Sequence, residues 1–360
     1  MYIDCHVHCR DGKWAYKETI AHALLVAEHS GLDAIFDMPN VPDPVINRKR
    51  VSERFNLAAA AESPVFFGVY IGLTSNEEQI SEAVACYKEL FPRDKTARYG
   101  VIGLKMFAGK SVGDLAIIDT EEQEFVYKIL AETGYKGVLG VHCEKESEMR
   151  EELWIPTRPI SHSFARPESA ETESIEDQIR YAKRTDYQGI LHILHITTPR
   201  SVELVQQAKR DLNGRVTCGV TPHHLLLDNT IMARLSGVLW KMNPPLRDPE
   251  TRAGLFEDFI QERIDILESD HAPHTWQEKT NGDKNSGYLS GIPNLASWPD
   301  FIQLLKNRGV SQGLLDKVAY YNVCNIFGVE IKRTFGDVSN QHVGEYAFDP
   351  YLHLKTLQDV

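Results

Sequence analysis

Short apolar runs recur along the chain at Tyr2–His8, Leu32–Pro39, Val65–Leu73, Tyr99–Phe107, Gly137–Glu144, Gly189–Ile196, Arg215–Thr221 and Ile264–Asp270. They are rich in Val, Ile, Leu and Phe and lack strict polar alternation, which is the pattern of strands buried on both faces. Longer amphipathic segments lie between them, at Lys17–Ser30, Arg48–Glu62, Asn76–Leu90, Thr120–Gly134, Ser169–Arg184, Pro199–Leu212 and Pro249–Glu262. Several carry helix signals. Gly31 follows the first as a terminating glycine would, Thr120 precedes the acidic pair Glu121 and Glu122, and Pro199 suits a first helical position after Thr197. Strands alternating with helices imply a parallel sheet, and this number of units implies closure into an α/β (β/α)8 TIM-type barrel. Residues 1–360 read as a single barrel domain, with a C-terminal extension of little periodicity from about 335. The stretch 275–297, rich in Gly, Asn, Lys and Ser, reads as a loop after the last strand.

The length of 360 residues accommodates a barrel of about 250 residues with insertions. A hydrophobic fraction of 42% supports a sizeable core. The net charge of −12, with no Lys/Arg-rich run, argues against a nucleic-acid reader. An anionic substrate would therefore need a local positive site. Cysteines at 5, 9, 86, 143, 218 and 324 show no CxxC pair, so reduced thiols in a cytoplasmic protein are expected. The polar, acidic start is not a signal peptide, and no apolar run reaches the roughly 18 residues of a membrane span. The expected partner is a small molecule, with neither nucleic acid nor membrane, and a homodimer is the assembly considered.

Barrel enzymes place their chemistry at the C-terminal ends of the strands. Metal-capable residues fall at those ends here: His6 and His8, Lys105, His142 and Glu144, His195, His223 and His224, then Asp270, His271 and His274. His6 and His8 are two apart and reach one face of a strand. Alone, such a pair is more often structural. His192 and His195 differ by three positions, which predicts opposite faces; His195, nearer the strand end, is the candidate ligand and His192 a packing residue. Lys105 is out of place in an apolar strand, because a buried ammonium without a partner is costly. It is either a salt-bridged strand end or an amine carboxylated to a bridging carbamate. Asp270 is a candidate metal ligand and proton shuttle.

Together, Asp4-x-His6-x-His8-x-Arg10, Met38-Pro39-Asn40, Gly103-Leu104-Lys105, Val141-His142-Cys143-Glu144, Leu194-His195-Ile196, Val220-Thr221-Pro222-His223-His224, Asn243-Pro244-Pro245-Leu246-Arg247 and Ser269-Asp270-His271-Ala272-Pro273-His274 resemble, in order, the signature blocks of dihydroorotases of the amidohydrolase superfamily. The resemblance implies a site with two Zn2+ ions. His6 and His8 would bind the more buried metal and His142 and His195 the other. Lys105, as a carbamate, would bridge them with a hydroxide, and Asp270 would bind metal and move the proton. Arg10, Asn40, Asn243 and His274 would hold the substrate. The implied reaction is the reversible cyclisation of N-carbamoyl-L-aspartate to L-dihydroorotate in pyrimidine biosynthesis.

The sequence also departs from the family. The first strand starts at residue 2, and Arg10 is followed by Asp11-Gly12-Lys13, which resembles the short members without a β-sandwich. Cys218-Gly219 stands where some relatives have Cys-Glu, so the carboxylate ligand of a third metal is missing there. Ser290-Gly291-Ile292-Pro293-Asn294 replaces a Gly-Phe-Pro-Gly run in a pocket-shaping loop, and the 155–170 region is the candidate cover. Two alternatives compete. A hydantoinase- or allantoinase-type amidase would share the metal ligands but generally lack Arg10. A catalytically silent barrel serving a pyrimidine-pathway partner would have lost ligands, and none is lost here.

Overall fold

The computed structural model describes residues 1–110, 114–234, 236–281, 288–332 and 346–351. Eight strands pair in parallel in chain order: β1 Ile3–Val7, β2 Ala34–Asp37, β3 Phe66–Gly72, β4 Tyr99–Ala108, β5 Val138–Cys143, β6 Ile190–Ile193, β7 Val216–Val220 and β8 Ile266–Leu267. The barrel closes through a parallel bridge from Val7 to His271, where the His8 amide donates to the His271 carbonyl at 2.8 Å. This is the α/β barrel expected from the pattern.

Helices α1 Ile20–His29, α2 Arg48–Ala60, α3 Glu77–Leu90 and α4 Thr120–Glu132 connect the first five strands. The pair α5 Ser161–Ala165 and α6 Glu168–Arg184 leads to β6, α7 Pro199–Asp211 to β7, and α8 Pro222–Leu226 with α9 Pro249–Ile260 to β8. After β8 come α10 Trp276–Thr280, α11 Trp298–Asn307, α12 Gln312–Asp316 and α13 Asn322–Phe327. Side-chain caps set many starts. Thr19 accepts from the His22 amide, so α1 begins three residues later than its apolar pattern suggests. Asp119, rather than Thr120, caps α4, and Thr198 caps α7 with Pro199 in the first turn.

Two hydrophobic layers follow. One lies between strands and helices, with residues such as Val7, Ile35, Val69 and Leu139. The other fills the barrel itself, with Ile3, Cys5, Phe36, Tyr70 and Leu194. Phe327 of α13 plugs the lower end, its ring 5.3 Å from Phe36 and 6.1 Å from Tyr70.

Two expectations are corrected, and the candidate cover gains a description. The 275–297 segment is not simply loop. Thr275 and Glu278 form a reciprocal capping box that starts α10, and Ile292 bridges to His271; residues 282–287 lie outside the described set. The 155–170 region contains α5 and is tied down, with His162 Nε2 donating to the Met242 carbonyl at 2.9 Å and Ser163 Oγ to that of Leu246 at 2.8 Å. Finally, β8 is much shorter than its apolar run. Its ladder with β7 ends at Leu267, and Asp270 then adopts a left-handed φ of 50° before His271 bridges to Val7. Most of the extension beyond 335 lies outside the described residues. Its described part packs back, with the Tyr351 ring 4.7 Å from Phe301.

Candidate metal centre

The strand ends converge. His6, His8 and Asp270 bring their ligand atoms within 4.8 Å of one another. Asp270 Oδ1 lies 3.2 Å from His6 Nε2 and 3.0 Å from His8 Nε2. Across the mouth, His142 Nδ1 and His195 Nε2 are 3.1 Å apart. Lys105, Phe107, Asn40, Arg10 and Asn243 complete one pocket with these residues, together with Ala272, Ser290 and Gly291.

Hydrogen bonds fix which ring nitrogens face inward. His8 Nδ1 donates to Asn40 Oδ1 at 2.7 Å, which turns Nε2 toward Asp270. His142 Nε2 is held by Glu144 Oε2 at 3.0 Å, which leaves Nδ1 toward His195. Carboxylate or amide oxygens of this kind orient metal-binding imidazoles. Burial depresses His8 to about 3 and drives His195 well below the usual histidine range. The rings are therefore neutral, with lone pairs to offer. Burial alone would raise Asp270; His6 and His8 more than offset it and hold the carboxylate ionised.

Lys105 is completely buried and, among the described residues, its Nζ has no hydrogen-bond partner. It lies 4.4 Å over the Phe107 ring. Burial pulls its amine from 10.5 down to about 7. The reading of Lys105 as a salt-bridged strand end is thus corrected: no carboxylate among the described residues pairs with it.

Arg10 is 1% exposed and takes a left-handed φ of 46°. Its Nε donates to the Pro273 carbonyl at 3.2 Å, and among the described residues Nη1 has no hydrogen-bond partner. Burial lowers its guanidinium only to about 10, so the positive charge persists at neutral pH. His274 does not line the pocket. It sits behind Arg10, with Nε2 3.0 Å from the Ser290 carbonyl and Nδ1 3.3 Å from Lys17 Nζ. Asn243 does line it, with Oδ1 accepting from Ser290 Oγ at 2.9 Å.

One facing rule fails instructively. His192 and His195 were expected on opposite faces, yet both enter the barrel, because His195 takes a left-handed φ of 37° where β6 ends. A register shift in β1 between Asp4 and Val7 likewise lets both Cys5 and His6 face inward. Of the histidines after β7, His224 is structural, bonded to Thr221 Oγ1 and the Pro244 carbonyl, while His223 is fully buried against it. The sequence reading missed Glu18. It receives His271 Nε2 at 3.0 Å, while His271 Nδ1 accepts the Asn294 and Leu295 amides. This clasp holds the segment carrying Asp270. An Asp-His-Ala-Pro-His block gives no hint of a partner 253 positions away.

Comparison with known proteins now has a site to attach to. The dihydroorotase of Archaeoglobus fulgidus is 32% identical over 364 residues, covering 99% of this chain and 77% of that protein. Those of Methanosphaera stadtmanae and Methanothermobacter thermautotrophicus are each 30% identical, cover 92% of this chain, and are themselves covered to 71% and 70%. The chain belongs to the dihydroorotase family. It is a hydrolase acting on cyclic amides. Membership rests on those relatives, because no protein-family model matches the chain. Solved structures share the fold. The L-hydantoinase (dihydropyrimidinase) of Arthrobacter aurescens superposes with a TM-score of 0.78 at 22% identity, covering 91% of this chain and 70% of that one. The dihydroorotase of Campylobacter jejuni gives 0.67 at 17% identity, covering 92% and 84%. Among the described residues no helix is long and apolar enough to cross a membrane.

Proposed function

We propose that the chain is a zinc-dependent dihydroorotase, interconverting L-dihydroorotate and N-carbamoyl-L-aspartate in the biosynthesis of UMP. The observation that carries this reading is Arg10: a buried, charged guanidinium with an unpartnered Nη1, in the wall of the pocket that holds the histidine and aspartate cluster. An uncharged ring such as hydantoin offers that group nothing. A ring carboxylate offers a charge-assisted pair.

The donors suit two divalent cations. His6, His8 and Asp270 would hold one, His142 and His195 the other, and Lys105 would join them as a carbamate. The orphaned Nζ of Lys105 fits that role, since an amine brought down to about 7 offers a neutral fraction that can add to CO2 and shed one proton. When bound, the metals supply a water of lowered pKa and polarise the ring carbonyl. Arg10 grips the substrate carboxylate and sets the ring against the cluster, with Asn40 and Asn243 along the wall. The Pro273 carbonyl holds the guanidinium through Nε, and His274 backs it. Asp270 accepts a proton as water oxygen bonds to the carbonyl carbon. It then delivers that proton to the ring nitrogen as the C–N bond breaks. Ring closure runs the same transfers in reverse.

A spectrophotometric comparison of dihydroorotate, hydantoin and allantoin after metal reconstitution tests the proposal. Preferential turnover of dihydroorotate is expected. Faster turnover of either uncharged ring would assign the chain to another cyclic amidase, and no turnover of any would favour a silent barrel.

A further inference from the structure

One layer below the pocket lies a second cluster of ligand-type side chains. Cys5 of β1, His192 of β6 and Glu268, just beyond β8, are each fully buried inside the barrel. Their ligand atoms lie within 4.8 Å of one another. Glu268 Oε2 is the hub, 3.7 Å from Cys5 Sγ and 3.7 Å from His192 Nε2. His6 Nδ1, on the far side of the ring from Asp270, stands 3.5 Å from the same oxygen.

These spacings are informative. A thiol can donate across 3.7 Å, but an imidazole N–H cannot do so usefully. Indeed, among the described residues, His192 Nε2 and His6 Nδ1 are both buried without a hydrogen-bond partner. Zinc bonds of roughly 2.0–2.3 Å in a tetrahedron put ligand atoms about 3.3–3.5 Å apart. The observed separations are close to those edges. The ring is also oriented in advance, with His192 Nδ1 2.8 Å from Thr217 Oγ1, an arrangement common behind metal-binding histidines.

The backbone accommodates this carboxylate specifically. A Cβ on Gly219 of the adjacent β7 would lie 2.3 Å from Glu268 Oε1. That oxygen instead accepts the His195 amide at 2.6 Å. Glu268 is therefore anchored by one oxygen and presents the other to Cys5 and His192. Surrounding charge also favours a cation. Asp270 and Glu268, both held below the usual carboxylate range, are buried side by side in this quarter.

We propose that Cys5 Sγ, His192 Nε2 and Glu268 Oε2 form a further metal site, separate from the pocket cluster, that takes a divalent cation of the zinc type. A thiolate, an imidazole and a carboxylate are the mixed donor set such an ion accepts. Binding forms the metal–sulfur bond and releases the Cys5 proton to solvent. Without the metal, burial next to Glu268 keeps Cys5 a neutral thiol. Because Glu268 also holds the His195 amide and faces His6, the ion would stiffen the floor beneath the proposed catalytic ligands.

Cobalt distinguishes this site from the pocket, whose donors are nitrogen and oxygen only. The full chain, stripped by a chelator, is titrated with Co2+. A thiolate-to-cobalt charge-transfer band is expected, saturating at one equivalent of band-forming metal per chain. Cys5→Ser should abolish the band and lower bound metal by one equivalent. His192→Gln should also lose that equivalent. Absence of the band in folded wild-type chain at saturating Co2+ overturns the proposal, whatever the variants do. So does a band that survives Cys5→Ser. If the dinuclear reading were wrong, total metal would fall but the band would remain, so the two failures separate.

Discussion

Asp270 and Glu268 sit two residues apart, both buried among histidines, yet their surroundings differ in one respect. Asp270 lines the pocket at the mouth of the barrel, beside Arg10 and Asn40. Glu268, at 0% exposure, is sealed beneath it, with its oxygens turned to a backbone amide, a thiol and two ring nitrogens. The same residue types can thus serve chemistry or architecture, depending on which layer of the barrel they reach. In the upper layer, Asn40 and Glu144 leave His8 and His142 with one nitrogen each for the pocket. In the lower layer the nitrogens converge on a carboxylate.

Four changes would break or sharpen this contrast. The largest effect is expected from Asp270→Ala, which removes a proposed ligand and the proton carrier together. Turnover of dihydroorotate should fall by at least about 10³-fold, with circular dichroism unchanged; near-normal turnover would sink the mechanism. Lys105→Ala should lose metal and activity in parallel. A crystal showing an unmodified Lys105 amine beside two bound metals would remove the carbamate bridge. Arg10→Lys keeps the charge but not the fork. KM for the carboxylated substrate should rise by about 10- to 100-fold with a smaller change in kcat, and an unchanged KM would detach Arg10 from the carboxylate.

The smallest effect concerns the clasp behind Asp270. Burial would raise Glu18, but His271 and His22 more than offset it and bring the carboxyl from 4.5 down to about 2 in the fold. A depressed carboxylate stabilises fully above its unfolded pKa. That stability is lost as pH falls from about 4.5 toward 2. Glu18→Gln should therefore lower Tm at neutral pH and flatten the acid limb across that window. An acid limb identical to wild type would show that Glu18 does not contribute to it.

Much was legible in advance. The repeated apolar runs betrayed a parallel sheet because strands buried on both faces cannot alternate. Strand-end histidines pointed to the mouth because the fold places chemistry there. Less legible was the lower layer. His192 reads as packing, and Glu268 passes without a role inside the last apolar run, Ile264–Asp270. Neither position advertises its neighbour, since Cys5 and Glu268 lie 263 positions apart.

Sequence alone determined the barrel, the order of its strands and the residues able to bind metal, because these follow from local periodicity and from side-chain chemistry. Tertiary structure decided which way those residues face. The register shift in β1 and the left-handed turns at His195 and Asp270 break simple alternation where strands end. Such turns are set by closure of the barrel and by contacts such as Glu18 with His271, which local sequence does not encode.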